Sequence, residues 1–150
     1  MSHTYVTQIS HIVFSTKDRR PLLRPEIRAD LYAYTGGILR SLRCRLIKAG
    51  GISDHIHLLV ELHPMLAVAS CVQKVKSNTS RWLKKTFPTC SKFGWQEGYA
   101  AFSVSPSQIP RVKAYIENQA QHHRKKTFTE ELSDLLQAHN LGCNHEMEIR

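Results

Sequence analysis

The order in which two kinds of hydrophobic periodicity follow each other constrains the fold more than any other feature of the sequence. Segments rich in β-branched and aromatic residues, which favour strands, alternate with segments whose apolar residues recur at helical spacing. The predicted strands lie at 4–14, 44–49, 55–62 and 99–105, and the predicted helices at 26–43, 66–87, 109–124 and after Thr127. The first six elements therefore follow the order β-α-β-β-α-β.

This order predicts an α+β fold of the ferredoxin-like (RRM-like) class, an antiparallel sheet with helices on one face, to which C-terminal helices are added. Glycine weakens a helix by ~1 kcal/mol relative to alanine, so Gly36-Gly37 counts against the first helix, and Gly50-Gly51 is expected to end the second strand. The 150 residues suit one domain, predicted at 1–141, with a flexible tail at 142–150. Because this fold hosts many activities, function has to be inferred from individual residues.

The chain is strongly basic, with 21 Lys and Arg residues against 12 Asp and Glu residues and a formal net charge of +9. Such an excess favours a nucleic-acid partner, because each neutralised phosphate releases condensed counterions. The candidate DNA-binding residues lie in the loop after the first strand and on one face of the second helix: Lys17, Arg19, Arg20, Lys74, Lys76, Arg81, Lys84 and Lys85. A solvated basic surface explains the same residues equally well.

The sequence does not predict a membrane or secretory location. No apolar run approaches the roughly 18 residues that cross a bilayer, and the N-terminus has no basic stretch followed by an apolar one. Cysteines occur only at Cys44, Cys71, Cys90 and Cys143, and the absence of a Cys-x-x-Cys pair disfavours a zinc ribbon or a thioredoxin-type site. We therefore expect a cytoplasmic protein with reduced cysteines.

The segment His55-Ile56-His57 lies on a predicted strand, where residues two apart point to the same face. The two imidazoles can therefore bind one divalent cation through their ring nitrogens. In a chain with nine histidines, about 0.5 His-x-His pairs are expected by chance, so the pair alone is a weak signal. Two hydrogen-bonded histidines at a sheet surface are the alternative.

A second group of polar residues lies on the helix predicted after the fourth strand. Tyr115, Gln119 and His122 are spaced i, i+4 and i+7 and so share a face, which is predicted to lie away from the apolar residues. A tyrosine in that position can act as an oxygen nucleophile, although on its own a surface residue is the simpler interpretation. Together with the two imidazoles, the amide oxygen of Gln119 suits Mg²⁺ or Mn²⁺.

Four stretches of the sequence carry motifs of one known family. They lie at 10–17, 54–60, 95–105 and 112–119, and the second and fourth contain the histidine pair and the tyrosine described above. In this order they resemble the single-tyrosine transposases of the HUH endonuclease superfamily, small enzymes that move insertion sequences as single-stranded DNA. One short motif would be weak support, whereas four in order over most of the chain make the resemblance specific.

The resemblance implies roles for individual residues and for the whole protein. His55 and His57 would bind the metal, Gln119 would be the third ligand and Tyr115 the catalytic nucleophile. The protein would be a homodimer that recognises hairpins near the element ends and cleaves single-stranded DNA with Mg²⁺ or Mn²⁺. Cleavage would leave a 5′-phosphotyrosine and a free 3′-hydroxyl, and because this linkage conserves the bond energy, no nucleotide cofactor is expected.

Three other functions are compatible with parts of the sequence. An enzyme of the same chemistry could act as a nickase on chromosomal palindromic repeats. A non-catalytic ferredoxin-like RNA-binding module would stack bases on exposed sheet aromatics, but the predicted third strand carries histidines and aliphatic residues instead. A zinc hydrolase is disfavoured, because no third His, Asp or Glu ligand follows the pair at a recognisable spacing.

Overall fold

A four-stranded antiparallel sheet forms the centre of the protein in the computed structural model, which describes residues 2–141. Its strands are β1 (Ile9–Ser15), β2 (Arg45–Gly51), β3 (His55–Glu61) and β4 (Ala100–Ser103). They lie in the order β2-β3-β1-β4, so β1 and β3 are the two central strands. This topology confirms the ferredoxin-like fold. The tail predicted at 142–150 lies outside the described residues.

Helices α1 (Pro25–Ser41) and α2 (Val68–Thr86) pack together on one face of the sheet. Their buried apolar residues share a core with alternate residues of the central strands, such as Phe14 and Ile56. Gly36-Gly37 does not interrupt α1. The burial of the apolar face of this helix therefore outweighs the ~1 kcal/mol that each glycine costs.

The other face of the sheet is covered by the helices that follow β4. These helices are α3 (Ile109–Glu117), α4 (Gln119–His122) and α5 (Phe128–Ala138). Through Ile116, α3 packs against Leu59 of β3. The sheet is thus enclosed between two helical layers, whereas the sequence left the position of the C-terminal helices undetermined.

Helix α5 begins where the sequence predicted, after Thr127. The Thr127 hydroxyl accepts a hydrogen bond from the backbone N–H of Glu130 at 3.2 Å, which satisfies one of the free donors at the helix start. Phe128 then packs beside Val13 and Phe102 on the sheet. The cap and this contact fix the start of α5 over the central strands.

The helix predicted at 109–124 is divided at Asn118. The backbone there has φ −93° and ψ 20°, which ends α3, and α4 starts at the next residue. Asparagine favours helix ends, because its side chain competes for backbone hydrogen bonds. The sequence predicted one continuous helix to residue 124, because neither glycine nor proline marks the break.

Strand β1 starts at Ile9, although the sequence predicted a strand from residue 4. Its pairing with β3 begins at Ile9 and Glu61, which is where β3 itself ends. The segment before Ile9 has strand-like composition but lies beyond the end of its neighbour. Composition cannot indicate where a partner strand stops, so the predicted strand was too long.

Gly50-Gly51 lies inside β2, paired with His57 and Ile56 of β3, and does not end the strand as predicted. At Gly50 the backbone of α3 comes close to the sheet. A Cβ atom at this position would lie 2.7 Å from Cγ2 of Ile116 and would collide with the Ile116 carbonyl oxygen. Gly50 is therefore required for a close contact between sheet and helix.

Among residues 2–141, no helix has the length and apolar character needed to cross a membrane. Three of the cysteines, Cys44, Cys71 and Cys90, are buried and free, in agreement with the expected reduced state. Burial raises the pKa of the Cys71 thiol to about 12, which keeps it in the unreactive protonated form. These residues act as small core side chains.

Candidate active site

His55 and His57 lie side by side on β3 and face the C-terminal helices, while Ile56 points into the opposite core. Their ring centroids are 5.2 Å apart, and both side chains are 0% exposed. The predicted common orientation of the pair is therefore confirmed. The two histidines do not lie at an exposed sheet surface, because α5 covers their rings. The Phe128 ring at the start of α5 lies 4.4 Å from that of His55.

A carboxylate that the sequence analysis missed lies between these two histidines. Oε1 of Glu131, on α5, is 3.1 Å from Nε2 of His57 and 3.3 Å from Nε2 of His55. The side chain of Glu131 is 1% exposed. It thus stands where the two imidazoles converge.

One sequence signal could have revealed Glu131. On α5 it shares a helix face with Phe128 and Leu132, which pack onto the sheet, so it is a charged residue inside an apolar stripe. A buried carboxylate is costly unless it is paired. The contact between Glu131 and His57 could not be predicted, because 74 residues separate the two in the sequence.

Both imidazoles are held in place by a second partner. Oδ1 of Asp54 lies 2.8 Å from Nδ1 of His55, and Nε2 of His11, on β1, lies 2.8 Å from Nδ1 of His57. Each contact occupies Nδ1 and leaves Nε2 directed toward Glu131. Partners of this kind fix the tautomer and orientation of metal-binding histidines.

Tyr115 and Gln119 reach the same carboxylate from α3 and α4. The Tyr115 hydroxyl donates to Oε2 of Glu131, and Gln119 Nε2 donates to the same oxygen at 2.9 Å. Gln119 Oε1 is 3.1 Å from Nε2 of His55. The structure therefore brings the predicted nucleophile and all three predicted metal ligands together within a single chain.

The predicted placement of Tyr115 away from the apolar stripe was wrong in one respect. Tyr115 is half-buried and packs beside the cluster that contains Ile116, while its ring also lies 5.8 Å from that of His57. Tyr115 therefore contacts both the apolar cluster under α3 and the histidine pair. The i, i+7 neighbour His122 lies nearby, with its ring 5.3 Å from that of Tyr115.

The charges in the site are set by burial and by Glu131. Burial alone would raise the pKa of Glu131, but hydrogen bonds with His55 and His57 hold it well below the ordinary value. Burial and the bond to Glu131 raise the pKa of Tyr115. Burial and the neighbouring His57 lower the pKa of His11 to about 3. The site thus contains an ionised carboxylate, a protonated phenol and a neutral His11.

The donor set fits a divalent metal ion. One ligand atom from each of His55, His57 and Glu131 lies within 4.8 Å of the others, and all three residues are buried. Two imidazole nitrogens and an ionised carboxylate are typical ligands of divalent cations. The candidate third ligand comes from α5, 74 residues beyond His57, so it does not follow the pair at a spacing that the sequence could reveal.

The predicted DNA-binding residues occupy different environments. An open cavity of about 480 Å³ on the face away from the histidines is lined by Arg81, Lys84 and Lys85 of α2. The exposed residues also include Lys17, Arg20 and Lys74.

Lys76 is half-buried and donates to the carbonyl oxygens of Gln96 and Gly98, so it secures the loop before β4. Burial lowers its pKa to about 8. Arg19 lines a cavity beside the histidine site.

A ferredoxin-like sheet that presents two histidines to a tyrosine on a covering helix has the arrangement expected of the single-tyrosine HUH class. The family model described as "Transposase IS200 like" matches residues 4–119, and the chain belongs to this family. Membership assigns the protein to DNA transposition.

Two transposases illustrate how far the sequence similarity extends. The transposase for insertion sequence element IS200 of Salmonella typhimurium is 29% identical over 133 residues, which cover 83% of this chain and 84% of the relative. The ISDra2 transposase TnpA of Deinococcus radiodurans is 26% identical over 121 residues, which cover 77% and 86%. The similarity therefore extends over most of each protein.

Solved structures of related proteins share the fold. A transposase from Deinococcus radiodurans superposes with a TM-score of 0.62 at 24% identity, over 79% of this chain and 96% of that chain. A REP-associated tyrosine transposase bound to a REP hairpin superposes with a TM-score of 0.61 at 13% identity, over 82% and 73%. At such low identities the likeness shows the architecture alone.

Proposed function

We propose that this transposase binds hairpins at element ends, cleaves single-stranded DNA through a covalent 5′-phosphotyrosine intermediate with a divalent metal, and rejoins the strands. The observation that carries the proposal is the meeting of Tyr115, the histidine pair and Glu131 in one buried cluster. Hairpin binding is supported by the structurally similar transposase that was solved with a REP hairpin.

In the proposed cleavage, the oxygen of Tyr115 attacks the scissile phosphorus. A bond forms between this oxygen and phosphorus, the bond from phosphorus to the 3′-oxygen breaks, and the 3′-oxygen takes a proton from water. The phenolic proton passes to solvent water, and Glu131, which accepts the hydrogen bond of the Tyr115 hydroxyl, holds this oxygen in place before the attack. Rejoining reverses these steps, so the strand is resealed without a nucleotide cofactor.

Mg²⁺ or Mn²⁺ would be held by His55, His57 and Glu131, with Gln119 as a further oxygen donor. The bound ion would polarise the scissile phosphate and offset its developing negative charge. Asp54 and His11 keep the two imidazoles oriented with Nε2 toward the ion site. Because Gln119 and Glu131 add oxygens to the two nitrogens, the set suits these cations.

The remaining parts of the proposal concern the partners of the protein. The exposed cations Lys17, Arg20, Lys74, Arg81, Lys84 and Lys85 would contact DNA phosphates. We propose a homodimer that acts in the cytoplasm, as the family resemblance implies. Since one chain already brings Tyr115 to its own histidines, dimerisation is not needed to assemble the cluster.

A chromosomal nickase of the same chemistry is the second candidate. It is favoured by the similarity to a REP-associated transposase, whose structure was solved with a repeat hairpin. The two functions differ in their substrate and not in their site. Hairpins on both sides of the encoding gene would indicate a mobile element, whereas cleavage restricted to dispersed repeats would indicate the nickase.

The proposed function is tested by incubating the protein with each separated strand of the DNA that flanks its gene, in Mg²⁺ or Mn²⁺. We expect a covalent protein–DNA adduct on one strand, visible as a slowly migrating band on a denaturing gel. The same DNA as a duplex, and the same reaction in EDTA, should give no adduct. Strand cleavage without any adduct would exclude a tyrosine intermediate.

The role of Glu131 as a metal ligand can be tested without DNA. Glu131→Gln keeps the shape of the side chain but removes its charge, so we expect Mn²⁺ affinity to fall by at least about 10-fold, since loss of a group that only supports a ligand already costs about 10–100-fold. Titration calorimetry measures the affinity directly. Glu130→Gln is the matched control, because Glu130 is the adjacent, exposed residue. Equal affinities of the two variants would remove Glu131 from the ligand set.

A further inference from the structure

A basic cavity of about 520 Å³ opens at the turn between α4 and α5. Its lining contains four cationic side chains, Arg19, Arg124, Lys125 and Lys126. Only the first of these was among the DNA-binding residues predicted from the sequence. The volume lies in the range of sites that hold small ligands, roughly 300–1,000 Å³.

The cavity shares a wall with the candidate active site. Asp54, which lines it, lies 2.8 Å from Nδ1 of His55 through its Oδ1 atom. His123, on the same wall, lies with Nε2 3.1 Å from Oε1 of Glu131. A strand whose phosphate reacts with Tyr115 would have this cavity within reach, because Asp54 and His123 contact the site and also line the cavity.

Two of the four cations are available for a ligand. Lys126 pairs with Asp134, and Arg19 donates to the hydroxyl of Thr129. Arg124 and Lys125 are exposed, and their side chains have no hydrogen bond or ion pair with the described part of the chain. Two unpaired cations next to a site for phosphate chemistry favour binding of phosphodiester groups.

The chemistry of the lining favours backbone recognition over base recognition. The lining contains two aromatic rings, those of Phe128 and His123. Phe128 is buried against His55 and the His123 side chain is only 6% exposed, so the cavity offers no open platform on which bases could stack. Cations bind phosphates regardless of base sequence. The cavity is therefore suited to hold a polynucleotide strand in place while sequence selection occurs elsewhere.

We propose that this cavity binds the sugar-phosphate backbone of the single strand beside the scissile phosphate, through Arg124 and Lys125. The inference rests on the proposed function and adds to it a binding subsite for the strand being cleaved. The two side chains would hold the flanking phosphates and so position the scissile group. The hairpin would bind elsewhere, so the two DNA parts of the substrate would depend on different residues.

The test is the salt dependence of binding to single-stranded oligo(dT), measured by fluorescence anisotropy in EDTA. For the variant Arg124→Ala/Lys125→Ala, we expect weaker binding and a log–log salt slope about 1.4 smaller in magnitude, since each single-strand phosphate contact contributes about 0.7. Binding to a hairpin without single-stranded flanks should stay at the wild-type level. Equal melting temperatures would show that the variant is folded.

The matched control is Arg40→Ala/Lys92→Ala, which removes the same charge from exposed residues that do not line the cavity. This control should keep the wild-type slope. An unchanged slope in the Arg124→Ala/Lys125→Ala variant, an equal loss in the control, or an equal loss on the hairpin would each overturn the proposal. Because the measurement needs neither Tyr115 nor a metal, a failure of cleavage would leave it interpretable.

Discussion

Replacing Tyr115 by phenylalanine should abolish the covalent protein–DNA adduct while hairpin binding survives. The change removes one oxygen atom, the one that would form the bond to phosphorus. The ring would keep its neighbours, since it packs against His11 and His57 at centroid distances of 6.0 and 5.8 Å. Loss of a catalytic nucleophile typically lowers the rate by at least about 10³-fold, so the adduct should fall below detection.

The measurement is a denaturing gel of the DNA adduct beside a native gel of hairpin binding. Tyr32→Phe is the matched control, because Tyr32 is a half-buried tyrosine on α1 whose hydroxyl has no hydrogen-bond partner among the described residues. It should form the adduct at the wild-type level. Undiminished adduct in Tyr115→Phe would assign the nucleophile to another residue and end the proposal in its present form.

Removing the metal site should stop cleavage as completely as removing the nucleophile. His57→Ala deletes one of the two converging Nε2 atoms, so Glu131 loses one of its partners and the Nε2 atom of His11 loses its contact with Nδ1 of His57. We expect no detectable cleavage by this variant at any Mg²⁺ or Mn²⁺ concentration. Wild-type protein stripped with EDTA should also be inactive, but it should recover when the metal is restored.

The comparison needs a histidine outside the cluster as its control. His63 lies just beyond β3, and its ring accepts a hydrogen bond from the backbone of Met65. His63→Ala should therefore cleave DNA at the wild-type rate in either metal. Cleavage by wild-type protein in EDTA would contradict a metal site built on His57, whatever the behaviour of the variants.

Local sequence patterns were sufficient to predict the fold. Strand-type composition and helical spacing depend on neighbouring residues, and they predicted the order β-α-β-β-α-β that the sheet topology confirms. Local patterns gave wrong strand boundaries where the structure depends on contacts with another strand or helix. The start of β1 depends on the end of β3, and a glycine is needed at Gly50 because Ile116 of α3 comes close to the strand there. Neither relation is visible in a short window of sequence.

The same distinction applies to the candidate site. His55 and His57 are two residues apart on one strand, and Tyr115 and Gln119 are one helical turn apart, so spacing alone grouped each pair. Glu131 comes from a separate helix, and its contacts with both pairs exist only in the folded protein. Lys76 shows the converse, since a basic residue on a predicted DNA-facing surface is engaged by the protein's own carbonyl groups.

The missing side chain at Gly50 lets α3, the helix that carries Tyr115, lie close to the sheet beside the histidines. Gly50 pairs with His57 on one side and touches Ile116 on the other, and Ile116 is the next residue after Tyr115. An alanine here would place a methyl group between β2 and α3 and push the helix away from the sheet. A larger residue at Gly50 in the edge strand β2 would therefore increase the distance between Tyr115 and the histidines. Such a variant would test how strongly cleavage depends on that distance while every side chain of the candidate site stays unchanged.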